Sequence, residues 1–347
     1  MASSCQIETP RAARSQAEAD RRVLRVLAPY REPRWWRSVW QLVTTLAGFT
    51  AGWFGMLWLL RYSYAYSLCL APVTAGFLVR LFILQHDCGH RSFFRSRGAN
   101  DLVGMLLSLL TFTPYHCWRR EHAVHHATSG DLDRRGLGGE IGTMTVREYQ
   151  QASPLRRFGY RLYRSPLVLL VIGPVLHFVV LQRFTFDLPK TWKKERASVY
   201  LTNLAIVGMT LLMCWALDWQ WQTLLMIHGP VVLLASSMGV WMFYVQHQYE
   251  DTYWRTHERW DYVEAALAGS SYYRLPRVLQ WFTANIGLHH LHHLDSRIPN
   301  YLLPRCLAEH PELQAERTLS LWESFSCVSL KLWDEEQGRL VGYPRSG

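Results

Sequence analysis

Four long stretches of this 347-residue chain carry almost no charge, and that pattern restricts its fold more than any other feature. Residues 38–60 hold no Asp, Glu, Lys or Arg from Ser38 to Leu60, between Arg37 and Arg61. Residues 62–79 are also charge-free, and the apolar run continues past Arg80 to Gln85. Residues 198–217 and 219–246 complete the set, the last interrupted only by His228. About 20 consecutive apolar residues suffice for a helix to cross a bilayer. Each block reaches that length, so the sequence predicts a polytopic membrane protein with spans at about 38–60, 62–85, 198–217 and 222–246. The mean hydropathy is nonetheless −0.06, because about half of the chain is polar and lies outside the bilayer.

Histidine placement supplies the second constraint. Three clusters read His86-Asp-Cys-Gly-His90, His122-Ala-Val-His125-His126 and His289-His-Leu-His292-His293. On a helix, residues spaced i, i+4 share a face, and i, i+3, i+4 keeps three near it. Imidazole is the commonest neutral metal ligand, and repeated same-face pairs suit a multi-ligand site. His247 stands alone at the end of the fourth apolar block. The seven cysteines are scattered with no Cys-x-x-Cys, as expected of reduced thiols, and Cys88 is left out of the ligand set.

One shared site fixes the topology, because all ligands must reach the same side of the membrane. The first two spans go out and back, delivering His86 to the side of the N-terminus. Two shorter apolar stretches, Leu102–Tyr115 and Pro166–Gln182, are then not spans. If 166–182 crossed, the basic segment holding Arg183, Lys190, Lys193, Lys194 and Arg196 would lie outside, against the positive-inside rule. The stretch 166–182 is therefore expected to be a re-entrant or interfacial hairpin broken near Gly173-Pro174, with 102–115 dipping in and returning before Pro114. The fold expected is an all-α membrane protein: four transmembrane helices and two re-entrant or interfacial hydrophobic segments under a helical cytosolic cap. Residues 1–37 form a basic cytosolic arm, 86–197 and 247–310 the cap, and 311–347 a cytosolic tail. The net charge of +10 is read as membrane orientation rather than nucleic-acid binding.

The motifs HDCGH, WRREHAVHHATSGDLDRRG (Trp118–Gly136), FYVQHQYEDTYW (Phe243–Trp254) and GSSYYRLPRVLQWFTANIGLHHLHHLDSRIPNY (Gly269–Tyr301) resemble the integral-membrane fatty acid desaturases. The resemblance covers about residues 60–305 and is closest to the bacterial acyl-lipid branch, related to plant Δ12 desaturases. It implies two non-haem irons, O2 as co-substrate and electrons from a ferredoxin or a cytochrome b5-type donor. It also implies an acyl chain carried on lipid, CoA or acyl carrier protein, and a bacterial inner-membrane location with the metal site on the cytosolic side. Carried over by position, the ligands are His86, His90, His122, His125, His126, His289, His292 and His293, with His247 as a ninth. Asp87, Glu121, Asp131, Asp133 and Asn285 are candidates to orient the imidazoles, as metal-bound histidines usually donate their other N–H. Trp118, Tyr272 and Trp281 are candidates to line the acyl path. Gly142 joins them because relatives tend to carry Trp there. Arg119, Arg120, Arg134 and Arg135 are candidates for an electron-donor docking face, or for pairing within the cap. Arg91 stands where relatives place a small residue.

Two other readings compete. A hydroxylase, acetylenase or ketolase would use the same ligand set. A metal transporter would place its ligands at mid-bilayer, whereas these follow the ends of the apolar blocks.

Overall fold

The computed structural model describes residues 21–216, 218 and 220–344. Its helices are α1 (Trp35–Leu60), α2 (Tyr64–His90), α3 (Arg97–Thr111), α4 (Tyr115–Thr128), α5 (Val146–Gln151) and α6 (Pro154–Tyr163). There follow α7 (Lys193–Ala216), α8 (Trp221–His247), α9 (Tyr262–Ala268), α10 (Arg277–Phe282), α11 (His289–Leu294), α12 (Leu303–Glu309) and α13 (Leu321–Ser324). Four of these, α1, α2, α7 and α8, are long and apolar enough to cross a membrane. They coincide with the four charge-free blocks and overrun them at the histidine-bearing end.

A three-residue turn joins α1 to α2, and the Ser63 side chain caps α2 by accepting from the Ala65 N–H at 3.2 Å. The two helices approach closely where α1 offers small residues. Gly48 faces the Phe77 ring and Gly52 faces Thr74. Small residues at a helix crossing are the usual way membrane helices gain packing contact. At its far end α2 closes with Arg91 in a left-handed turn (φ 59°), while the Ser92 N–H reaches back to the Asp87 carbonyl at 3.0 Å. That turn favours glycine, which is the physical reason a small residue is expected after the first histidine pair.

The two short apolar stretches behave differently. α3 exposes Leu102, Met105 and Leu106 and ends at Phe112 (φ 54°). The chain then returns, so that the Tyr115 hydroxyl donates to the Cys88 carbonyl at 2.8 Å and meets Asp101 at 3.0 Å. The stretch dips and comes back, as expected. The 166–182 stretch is not broken at Gly173-Pro174. Gly173 is helical (φ −58°, ψ −46°), and Val168–Arg183 runs as one helical segment with wide turns on either side of Pro174. Proline removes one donor and crowds the preceding turn, and the wide turns absorb both effects: the Gly173 N–H bonds five residues back, to the Val168 carbonyl. The actual bend, 56°, lies between α6 and this segment. Both ends of it meet the cap. Before it, Arg164 donates to Thr143 and Gln248, each at 3.0 Å. After it, Trp192 lies 5.1 Å beneath the Arg120 guanidinium. Both flanks of the segment are thus held against the cap.

The cap contains the little sheet present among the described residues. β1 (Tyr272–Arg274) pairs in parallel with β2 (Thr318–Ser320), and β3 (Leu332–Asp334) pairs antiparallel with β4 (Arg339–Val341). Residues 311–344 are thus built into the cap: Trp333 is buried, Lys331 Nζ donates to the Arg164 carbonyl at 2.7 Å, and the Tyr244 hydroxyl donates to the Cys327 carbonyl at 2.8 Å. The end of the N-terminal arm is docked as well. Leu27 and Tyr30 pack with Leu288, Leu291 and Leu294, and Arg31 pairs with Asp295. The earlier part of that arm, including Arg11 and Arg14, lies outside the described residues.

Candidate metal centre

Nine histidines from α2, α4, α8 and α11 meet where the four long helices end. They sort into two groups, His86, His90, His122, His126 and His292 in one and His125, His247, His289 and His293 in the other. Within each group every ring offers one nitrogen, and these nitrogens lie within 4.8 Å of one another. The sorting follows helical rotation. On α4, His122 and His126 share a face and enter the first group, while His125, turned about 100° from His126, enters the second. On α11 the i, i+4 pair His289 and His293 enters the second group, and His292 the first. α2 contributes only to the first group, and His247 at the last residue of α8 only to the second.

The rings present nitrogen to nitrogen. His122 Nε2 lies 3.0 Å from His86 Nε2 and 3.1 Å from His126 Nε2, which in turn lies 3.1 Å from His292 Nε2. In the second group His289 Nε2 lies 3.0 Å from His247 Nε2 and 3.1 Å from His293 Nε2. Hydrogen bonds alone cannot satisfy such a set, because each nitrogen carries either one proton or one lone pair. Among the described residues, His90 Nε2 and both nitrogens of His125 have no hydrogen-bond partner. Burial holds the cap imidazoles neutral: it pushes His122, His126, His289, His292 and His293 well below the usual histidine range, and His125 down to about 3. Convergent, neutral, buried lone pairs fit a cation in each group. The all-nitrogen donor set suits iron, copper, nickel or zinc better than calcium or magnesium.

Two contacts orient rings from behind, and a carboxyl stands near a third ring without a hydrogen bond. His247 Nδ1 lies 3.0 Å from the Gly269 carbonyl. His86 Nδ1 lies 3.4 Å from Asp87 Oδ1, and Asp87 Oδ2 accepts from both the backbone N–H and Nδ2 of Asn300, each at 2.9 Å. His125 Nδ1 lies 3.6 Å from Glu140 Oε1, and burial pushes the Glu140 carboxyl up to about 7. Gly138 presses its backbone against α4 here. It sits at φ 64°, and a Cβ on it would lie 2.3 Å from the His125 backbone nitrogen.

Of the residues proposed to orient imidazoles, the structure thus brings Asp87 to its histidine. Asp131 and Asp133 turn elsewhere. Asp131 accepts from His257 Nδ1 at 2.7 Å and Asp133 from the His257 backbone N–H at 2.8 Å, because the 3-10 turn they form faces that surface loop. Asn285 donates to the Asn300 carbonyl at 3.3 Å instead of to a ring, its backbone being held left-handed (φ 60°). Glu121 makes no side-chain hydrogen bond or ion pair among the described residues, and burial beside Asp187 raises its carboxyl to about 7. Glu140 and Asn300 were missed. Glu140 sits in the Gly-Glu-Ile-Gly-Thr stretch that drew notice only for its missing Trp, and Asn300 in the quoted Ile-Pro-Asn-Tyr run.

Among the path candidates, Trp118 stacks on His122 (4.6 Å, 16°) and continues through Phe82 to Phe178 of the re-entrant segment. Trp281 stands apart, beneath Arg80. Tyr272 lies 6.1 Å from His290, a buried ring that belongs to neither group. Gly142 meets Tyr163, whose hydroxyl accepts its N–H at 3.1 Å. The four docking arginines all have partners inside the cap. Arg119 donates to the Gly89 carbonyl, Arg120 covers Trp192, Arg134 meets Asp131 and His257, and Arg135 pairs with Glu148.

Comparison with known proteins bears on this geometry. Residues 63–325 match the family model described as fatty acid desaturase. A fatty acid desaturase of Bacillus subtilis (strain 168) is 41% identical over 327 residues, covering 94% of this chain and 92% of that protein. An sn-1 oleoyl-lipid 12-desaturase of Arthrospira platensis is 28% identical, covering 66% of this chain and 64% of its own. An sn-1 acyl-lipid omega-3 desaturase (ferredoxin) of Nostoc sp. (strain 36) is 27% identical, covering 72% and 70%.

Proposed function

The chain belongs to the fatty acid desaturase family, and we propose that it is a di-iron, O2-dependent enzyme that introduces a double bond into an acyl chain carried on a membrane lipid. The observation that carries this reading is the pair of all-histidine groups, His86, His90, His122, His126 and His292 beside His125, His247, His289 and His293. Two irons held there would supply the oxidising power that side chains lack for removing hydrogen from an unactivated alkyl chain. The protein's own residues do the rest. Neutral imidazoles keep the ligand charge low. Asp87 and the Gly269 carbonyl hold the His86 and His247 rings in place from behind, with the Glu140 carboxyl beside His125. Trp118, stacked on His122 above Phe82 and Phe178, closes the first group on the side of the re-entrant segment and excludes water there.

The names of the acyl-lipid relatives support a lipid carrier, and the ferredoxin-linked relative supports a small iron–sulfur donor over a cytochrome b5-type one. The positive-inside pattern supports a cytosolic face for the histidines, in the inner membrane of a bacterium. Two measurements test the proposal together. Metal analysis of protein matured in iron-replete cells should find about two irons per chain, as two ligand groups require. It should find little in a His125→Ala/His292→Ala variant, which removes one ligand from each group. Mass spectrometry of lipids from expressing cells should show a new double bond that the variant does not make. Stoichiometric zinc without iron, or an added hydroxyl in place of a double bond, would overturn it.

A further inference from the structure

An open cleft of about 570 Å³ lies between the first turns of α1 and the short helix α10. Its lining includes Trp40, Gln41, Arg80, Arg277, Gln280 and Trp281, and no acidic residue. Arg80 is buried in α2, six residues before His86. Its Nε donates to Thr45 Oγ1 at 3.1 Å, its Nη1 donates to the Trp281 carbonyl, and its guanidinium lies 4.2 Å over the Trp281 ring. Nη2 has no protein partner among the described residues. Arg277, on the rim, makes no ion pair among them either. A charged group at this depth is costly unless something answers it; Asp87, further along α2, attracts Arg80 without forming an ion pair with it, and leaves Nη2 free.

The cleft also sits at a defined height. Arg80 is about 9 Å along α2 from His86, and Trp40 about 7.5 Å along α1 from its start, at 1.5 Å per helical residue. Trp35, Trp36 and Trp40 stand exposed around that end of α1, and Val43 lies exposed below them. Exposed tryptophans mark the headgroup level of a membrane protein. Two arginines with free donors and side-chain amides, lined by no carboxylate and set at the level of these exposed tryptophans, describe an anion site within reach of lipid.

We propose that this cleft binds the phosphodiester of a glycerophospholipid. Arg277 and Arg80 Nη2 donate to the phosphate oxygens, and the amides of Gln41 and Gln280 flank the ester. A soluble phosphate is the poorer occupant because the α1 wall of the cleft, Trp40, belongs to the exposed aromatic end of that helix. The cleft wall is also hydrogen-bonded to the first histidine group. The amides of Gln41 and Asn300 bond each other at 3.2 Å in both directions, Asn300 holds Asp87, and Asp87 meets His86. On the desaturase reading, from which this consequence follows, a phosphate bound here fixes the height of the glycerol backbone relative to the irons and so which acyl carbon reaches them.

The test uses the full-length, iron-loaded protein, stripped of lipid in neutral detergent. Dioleoylphosphatidylglycerol and dioleoylglycerol, which share acyl chains but not the phosphate, are compared for retention by native mass spectrometry. The phospholipid should be retained at least about ten-fold better, the worth of one charge-assisted hydrogen bond. Arg277→Glu, an exposed substitution that leaves the fold alone, should abolish that preference while leaving diacylglycerol retention and iron content unchanged. Arg80→Gln should do the same where it folds. Equal retention of the two lipids, an unchanged preference in Arg277→Glu, or displacement by excess inorganic phosphate would overturn the proposal. The desaturase reading fails separately: protein that prefers the phospholipid but makes no double bond refutes that reading, and protein that makes the bond without the preference refutes the cleft.

Discussion

Replacing Asn300 with Leu tests how far the metal centre depends on groups behind its ligands. Asn300 is buried, and its Nδ2 and backbone N–H both donate to Asp87 Oδ2 at 2.9 Å. Leu keeps the volume and the backbone donor and deletes the side-chain one. Loss of a hydrogen bond to a buried carboxylate costs about 1.5–3 kcal/mol. Gln41 also loses both amide contacts, but it faces the open cleft, where water replaces them at roughly 0.5 kcal/mol each. The expected total is about 2.5–4 kcal/mol of stability. Because Asp87 orients His86, iron retention should fall by about 10- to 100-fold, the usual effect of removing a group behind a ligand. The assay is iron release to a competing chelator from detergent-solubilised protein, read beside thermal unfolding. Gln41→Met is the control that breaks the amide pair and spares Asp87, and it should hold iron like the parent. Asn300→Asp adds a carboxylate against Asp87, so like charges make it worse than Leu although it is the closer match in shape. Normal iron retention in Asn300→Leu, or Asn300→Asp milder than Asn300→Leu, would refute the reasoning and reduce Asn300 to a packing residue.

Gly138→Ala combines a left-handed backbone with a Cβ 2.3 Å from the His125 nitrogen, so it should cost upwards of about 2 kcal/mol and lower iron content; Gly139→Ala, at φ 82° with nothing within 4 Å, should cost only about 1–2 kcal/mol and keep the iron. In metal-free protein the buried cap histidines stay neutral when folded and take up protons when unfolded below about pH 6.5. Stability should therefore fall on balance as pH drops beneath that value, by up to about 1.4 kcal/mol per pH unit for each such ring, partly offset by Glu121 and Glu140, whose raised carboxyls hold protons when folded that they release when unfolded; denaturation midpoints from pH 7.5 to 5 check it. In Lys193→Cys an impermeant thiol reagent should reach the new cysteine only from the histidine-bearing face; labelling from the opposite face would mean that the 168–183 segment crosses.

The spans were legible because apolar runs of that length have few other uses, and the ligands because i, i+4 spacing survives any reasonable helix register. What sequence could not supply was the partition. His125 and His126 are neighbours in the chain and serve different groups, and a cluster looks like one unit until its rotation about the helix is known. The supporting residues were less legible still. Asp131 and Asp133 lie close to the second cluster in sequence, yet the turn that follows α4 carries them to His257. Asn300 lies far from Asp87 along the chain and meets it only because the loop after α11 folds back over the end of α2. Pro174 misled in the opposite direction: a proline inside a short apolar stretch suggests a break, but wide turns let the helix continue around it.

The partition has a consequence for how the centre assembles. If each histidine cluster fed one metal, one site could form while the other stayed loose. Instead α4 and α11 each supply both groups, α2 serves only the first and α8 only the second. The two shared helices are short, 14 and 6 residues, and a helix of that size is marginal on its own. Their positions are therefore set by packing and by what their histidines hold. Loss of cation from one group would leave its lone pairs facing each other in a buried site and loosen the same two helices on which the other group depends. The long helices α2 and α8 give the centre its fixed walls, through His86, His90 and His247, and the shared short helices make occupancy of the two groups interdependent.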